Sequence, residues 1–153
     1  MLFQGQEFME GGAFNDWEGL DWEKAGRHAG IVEAYRHLIA LRKDQAGVSA
    51  GLTSRDVNIM NVDENNKVIA YHRWKNGGPR DDVVVIVNFS NRLQQQYSLN
   101  FPRTGTWRIR FNSTWSGYSP DFNETQVTDI NVDSGSGTLV LPAGSAIILS
   151  QDS

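Results

Sequence analysis

The sequence predicts a mainly β protein: an antiparallel β-sandwich of about eight strands, preceded by one α-helix. Three observations carry this. From about Val48 onward apolar residues recur with period two or in short β-branched runs. Those runs are separated by clusters of Asn, Asp, Gly, Pro and Ser, which adopt turn conformations cheaply. Only one earlier stretch has convincing helical spacing.

The first 22 residues, MLFQGQEFMEGGAFNDWEGLDW, begin with an apolar run and become a loop rich in glycine and aromatics. Met1, Leu2 and Phe3 read as the end of a buried strand with nothing ahead of it to cover it, so the chain is expected to be cut from something larger. In the helix, Ile31, Tyr35, Leu38 and Leu41 fall three or four residues apart with Ala34 beside them, while Glu33, Arg36, Arg42 and Lys43 occupy the other side. Arg42 and Lys43 suit the negative end of the helix dipole and Gly47 is the expected C-cap, so the helix should end near Ala46. The change of pattern there marks a domain boundary, with 1–47 on one side and 48–153 on the other.

Strands are expected at 57–62, 68–74, 83–89, 95–99, 107–111, 128–132, 138–141 and 145–150, with turns at 63–66, 76–79, 134–137 and 142–144. Trp107, Ile109 and Phe111 alternate with Arg108 and Arg110, so one face of that strand should enter the core while the guanidinium groups point to solvent or a neighbour. The run Val83 to Val87 has no alternation. It should be a central strand covered on both faces.

With 153 residues the chain is long enough to bury one core of ordinary size. Its 39% apolar and 21% charged residues and its net charge of −4 give no sign of disorder or of a basic surface for nucleic acid. The absence of cysteine removes disulfides, thiolate nucleophiles and sulfur-bound zinc. No apolar run is long enough to span a membrane, so no membrane partner is expected. No nucleic-acid partner is expected from the charge balance, and the location expected is cytoplasmic. No cofactor is expected either.

Among candidate site residues, Glu7 stands directly after the apolar opening, where a carboxylate can orient substrate or hold neighbouring backbone amides. Asp16, Glu18, Asp21 and Glu23 form an acidic cluster in an unpatterned loop, the weak candidate for a metal. His28, His37 and His72 are not at mutual ligand spacing, and no metal triad follows. No nucleophile elbow or phosphate-cradling glycine loop is present. Trp74, Trp107, Trp115 and Tyr118 are candidates for stacking on sugar rings. Trp107 reads as core, whereas Trp115 and Tyr118 lie in an irregular stretch of Ser, Thr, Gly and Pro and are expected to be exposed. Asn88, Asn112 and Asn123 head Asn-X-Ser/Thr sequons.

MLFQGQEF, followed by Phe14-Asn15 and Leu20-Asp21-Trp22, resembles the end of the catalytic barrel in the α-amylase family of glycoside hydrolases, most like the branching-enzyme group. Gly5, Glu7, Phe8, Asn15, Leu20, Asp21 and Trp22 carry the match. Arg36 to Arg42 resembles the closing barrel helix. Val83 to Phe89, Thr106-Trp107-Arg108 with Asn112-Ser113, and Leu139 to Leu149 are similar to strands of the family's C-terminal all-β domain. The resemblance implies that 1–47 is the end of a TIM barrel, with Glu7 and Asn15 on its substrate side, and that 48–153 is the all-β domain packed on it. It further implies a retaining mechanism, which needs two carboxyl groups about 5 Å apart. These would lie on earlier barrel strands, so no catalytic residue is expected in this chain. The partner is then the barrel, and the substrate an α-1,4-glucan such as starch or glycogen. Two other readings stay open: an independent starch- or glycogen-binding sandwich, and the C-terminal domain of a hydrolytic α-amylase.

Overall fold

The computed structural model describes residues 3–12, 16–122 and 125–153. Two short helices, α1 (Glu23–Arg27) and α2 (Ala29–Arg42), precede eight strands. These are β1 (Asp56–Asp63), β2 (Val68–Trp74), β3 (Val83–Asn88), β4 (Gln94–Asn100), β5 (Gly105–Asn112), β6 (Ile130–Val132), β7 (Ser136–Leu141) and β8 (Ser145–Ser150). A six-stranded sheet runs in the order β1-β2-β3-β8-β5-β6, a two-stranded sheet pairs β4 with β7, and every pairing is antiparallel. Mainly β, with two layers, is thus the observed architecture.

The alternation that defines strands also sorts side chains between two cores. Val84 and Ile86 of β3, with Ile147 and Leu149 of β8 and Trp107 of β5, point inward to Tyr97, Leu99, Leu139 and Leu141 of the small sheet. Removing each such aliphatic side chain from water contributes about 1.5–3 kcal/mol. Val83 and Val85 point the opposite way and, with Ile148, Phe111, Leu52 and Tyr118, build a second cluster against Ala34 and Leu41 of α2. β3 lacks alternation because both of its faces are covered.

In β5 the expected single apolar face is broken. Ile109 pairs with Leu149 and Phe111 with Ile148, so Arg110 is the extra residue of a β-bulge. A one-residue slip turns every later side chain to the other face. Trp107 therefore enters the inner core and Phe111 the outer one. Arg108 and Arg110 both pair with Asp152, Arg108 also with Asp129 at 2.9 Å, and Arg110 Nε donates to Ser150 Oγ at 2.8 Å.

The helix also ends earlier than its pattern predicts. The Gln45 N–H donates to Ala40 O and the Asp44 N–H to Leu41 O, both at 3.0 Å, with Asp44 at φ 52°, which is a Schellman closure with Asp44 in the left-handed position. Asp adopts that conformation more readily than most residues. The Asp44 carboxylate is held there by the Ser49 N–H at 2.7 Å. Gly47, also at positive φ, belongs to the turn that follows.

α1 has no counterpart in the sequence pattern, being a single turn too short to show periodicity. Asp21 starts it: its Oδ1 accepts from the Glu23 N–H at 3.1 Å and its Oδ2 pairs with Arg27 at 2.5 Å. At the N-terminal end, Met1 and Leu2 lie outside the described residues. Phe3 is exposed and leads into a one-turn 3-10 helix, Gln6–Phe8. Phe8 is buried with its ring 5.1 Å from that of Trp22, so this segment folds back toward the helices.

Two glycines set how closely the helical side approaches the sheet. A Cβ on Gly30 of α2 would stand 2.2 Å from the Tyr118 carbonyl oxygen. One on Gly51, in the 3-10 turn Ala50–Thr53, would stand 2.5 Å from the carbonyl oxygens of Arg73 and Asp81. Neither contact tolerates a side chain.

Candidate functional site

The candidate residues fall into two places on opposite faces of α2. Val32, Tyr35, Arg36 and Ile39 line one groove with Phe3, Gln4 and Glu7. Gly30, Ala34, His37 and Leu41 face the sheet and the 113–122 loop. At 100° per residue these two sets are half a turn apart. Glu7 therefore does not meet Trp115 or Tyr118, and Asn15 lies outside the described residues.

Near the first groove, of about 300 Å³, Glu7 is half-buried on the 3-10 turn. The carboxylate that gathers backbone amides here is Glu10: it accepts from the Asp21 N–H at 2.9 Å and the Gly11 N–H at 3.1 Å, and pairs with Lys24. The Lys24 hydrogen bond, then that of the Asp21 amide, hold the Glu10 carboxyl below its ordinary range. The sequence offered Glu7 to orient substrate or hold amides and did not single out Glu10, whose partners Asp21 and Lys24 lie 11 and 14 positions away. Of the acidic cluster, Asp21 is spent on capping α1. Among the described residues no group of three His, Cys, Asp or Glu converges to hold a metal.

The second groove, of about 550 Å³, lies between α2, β5 and the segment 125–128. At its floor Tyr118 is only 5% exposed, because Phe111, Trp115 and His37 pack round it. The expectation of exposure holds for Trp115, at 44%, and not for Tyr118. The indole meets the Tyr118 ring edge-on, with centroids 4.9 Å apart and planes at 88°.

The Tyr118 hydroxyl lies 2.6 Å from His37 Nδ1, and His37 Nε2 lies 2.9 Å from Glu33 Oε1. Burial, and then the Glu33 carboxylate, push the Tyr118 hydroxyl up to about 12. The hydroxyl stays protonated at neutral pH, and the imidazole bridges it to the Glu33 carboxylate. This chain ties α2 to the 113–122 loop across 81 positions of sequence. His37 was legible only as a residue in phase with Ala34 and Leu41.

The other two stacking candidates, Trp107 and Trp74, contact groups of the protein itself. Trp107 is fully buried and its Nε1–H donates to Arg103 O at 3.1 Å. Trp74 stacks on His72 at 4.8 Å. His72 Nε2 in turn meets the buried carboxylate of Asp82 at 2.9 Å, whose other oxygen accepts from Arg103 Nε at 2.6 Å. Burial pushes the Asp82 carboxyl up, but the bonds from Arg103, the Gly78 amide and His72 outweigh it and leave it below the ordinary carboxylate range.

Six antiparallel strands against two, with a helix on the outer face, define a small all-β sandwich domain. Residues 59–152 match the family described as "Alpha amylase, C-terminal all-beta domain". The chain belongs to this family. It is 32% identical over 158 residues to a 1,4-alpha-glucan branching enzyme GlgB of Bradyrhizobium sp. (strain ORS 278), covering 97% of this chain and 21% of that protein. The corresponding enzyme of Rhodospirillum rubrum is 30% identical over 167 residues, covering 99% of this chain and 22% of the relative. The chain thus spans about a fifth of the length of these curated relatives. Its fold is similar to that in a debranching enzyme from Nostoc punctiforme, with TM-score 0.63 and 16% identity over 98% of this chain and 27% of the other. It is also similar to a pullulanase from Anoxybacillus sp. LM18-11 complexed with maltotriose, with TM-score 0.59 and 22% identity over 97% and 20% of the two chains. Among the described residues no helix is long and apolar enough to cross a membrane.

Proposed function

We propose that this chain is the C-terminal portion of a 1,4-α-glucan branching enzyme, in which 1–47 closes the catalytic barrel and 48–153 is the sandwich that braces it. The catalytic carboxylates then belong to the barrel, and the chain by itself is inert. The observation that carries this reading is the face of α2 turned away from the sandwich. There Phe3 and Ile39 are exposed beside Val32, Tyr35 and the half-buried Glu7. A contiguous apolar face of this kind marks an interaction surface. The barrel is the partner that would cover it, and Glu7 and Asn15 would then stand at its substrate rim. A cytoplasmic location goes with this reading.

The test compares the intact enzyme with this chain on amylose. Branching by glycosyl transfer should lower iodine staining with no matching rise in reducing ends, and the 153-residue chain should do neither. A rise in reducing ends proportional to the loss of staining would replace transfer with hydrolysis. Turnover by the chain alone would overturn the reading outright.

A further inference from the structure

We propose that the groove between α2, β5 and residues 125–128 is a binding site for an α-1,4-glucan chain, with the exposed indole of Trp115 as its stacking surface. This deepens the reading of the parent as a glucan-active enzyme and rests on it.

The argument begins with charge. Two cationic side chains line the groove, Arg110 and, when protonated, His37. Both are already engaged: Arg110 with Asp152 and Ser150, His37 with Glu33 and Tyr118. An anionic ligand would have to compete with those partners. The rest of the polar lining is neutral: Asn112, Thr125, Gln126 and Thr128, the last two exposed. Neutral donors and acceptors around an aromatic face suit a neutral polyhydroxylated ligand, whose C–H face packs on the ring while its hydroxyls bond at the edges. A volume of about 550 Å³ is in the range of small-ligand sites.

The second step is preorganisation. Trp115 is not a swinging surface residue, because Tyr118 abuts it edge-on and Gly117 lies under its six-membered ring. A Cβ on Gly117 would stand 2.5 Å from two of the ring carbons. Ordering of the platform has therefore been done by the fold, which lowers the cost of binding. Tyr118, buried, is a positioning residue, and Trp115 with Gln126 makes the contacts.

The experiment titrates the 153-residue chain with maltoheptaose by calorimetry and tryptophan fluorescence, with cellohexaose as the β-linked control. Saturable binding of maltoheptaose is expected, weakened about tenfold or more by Trp115→Ala. Gln126→Ala, on an exposed side chain, should weaken binding severalfold at an unchanged melting temperature, which keeps the test valid should Trp115→Ala unfold. Gly117→Ala should also weaken binding by displacing the indole, and Trp17→Phe should not. No saturation at tens of millimolar maltoheptaose, equal binding of cellohexaose, or full affinity in both Trp115→Ala and Gln126→Ala would overturn the proposal. An intact enzyme that branches amylose while this chain ignores maltoheptaose refutes the groove alone. Binding by the chain while the intact enzyme leaves amylose unchanged refutes the branching reading alone.

Discussion

On its inner face the six-stranded sheet meets β4 and β7 chiefly through large aliphatic and aromatic side chains, whereas on its outer face it meets a helix, a 3-10 turn and a loop through fewer and more varied contacts. The inner core holds fully buried Trp107, Ile86, Leu141, Ile147 and Leu149. Polar networks at its rim join His72, Asp82 and Arg103 at one place and Tyr97, Asn61 and Asp63 at another. The outer core holds Tyr118 and Phe111, a Tyr-His-Glu hydrogen-bond chain and two glycine contacts. Beyond the helix it leaves Val57, Ile59 and Val62 of the edge strand exposed. The difference teaches that the inner face carries most of the stability, while the outer face sets where the helix sits.

The sharpest way to break this contrast is at its centre. Trp107→Ala should lose about 3–5 kcal/mol in urea unfolding. A loss below that of the outer-face changes would reverse the assignment of the two cores. Gly30→Ala forces a methyl group into the Tyr118 carbonyl and should lose about 1–3 kcal/mol. Amide exchange should rise in α2 and the 113–122 loop and stay slow in β4 and β7. Uniform acceleration would mean that the two faces unfold as one.

At the inner rim, Asp82→Asn should lose about 1–2 kcal/mol near neutral pH. The sign follows from its lowered folded pKa. The stabilisation is full above the unfolded carboxyl value of about 4 and is lost as pH falls through the lower folded value. The variant's acid limb should therefore be shallower in thermal melts taken from pH 6 downward. If the two limbs coincide, the network adds nothing.

Tyr118→Phe should lose about 1 kcal/mol at neutral pH. Its hydroxyl is raised in the folded state to about 12, so its contribution is complete below the unfolded value of about 10 and disappears as pH rises toward the folded one. The variant should lack that part of the alkaline loss. Smallest of all, Val62→Thr on the open edge should change stability by less than about 0.5 kcal/mol. A larger loss would show that the outer face is more complete than its exposure indicates.

All eight strands were legible, because period-two patterning and turn clusters act over four to eight residues and need no partner to be read. What escaped needed a partner. The bulge at Arg110 exists only against β8 and redirects Phe111. The end of α2 was read from Gly47, but a Schellman closure at Asp44, held by Ser49, came first. α1 depends on Asp21 rather than on periodicity. At the candidate groove, the composition around Trp115 signalled an exposed aromatic. Nothing local told Tyr118 apart from it, since its burial is completed by His37, 81 positions away.

The contact at Gly30 has a consequence for exchanging parts between related enzymes. Because a backbone carbonyl of the sandwich rests where a side chain on α2 would stand, helix and sandwich are mated surfaces that must travel together. A chimera joined after Gly47 would set a foreign helix under this loop and should assemble only when the donor also has glycine at that position. A junction ahead of His28 keeps the pair intact, and is the natural seam for grafting.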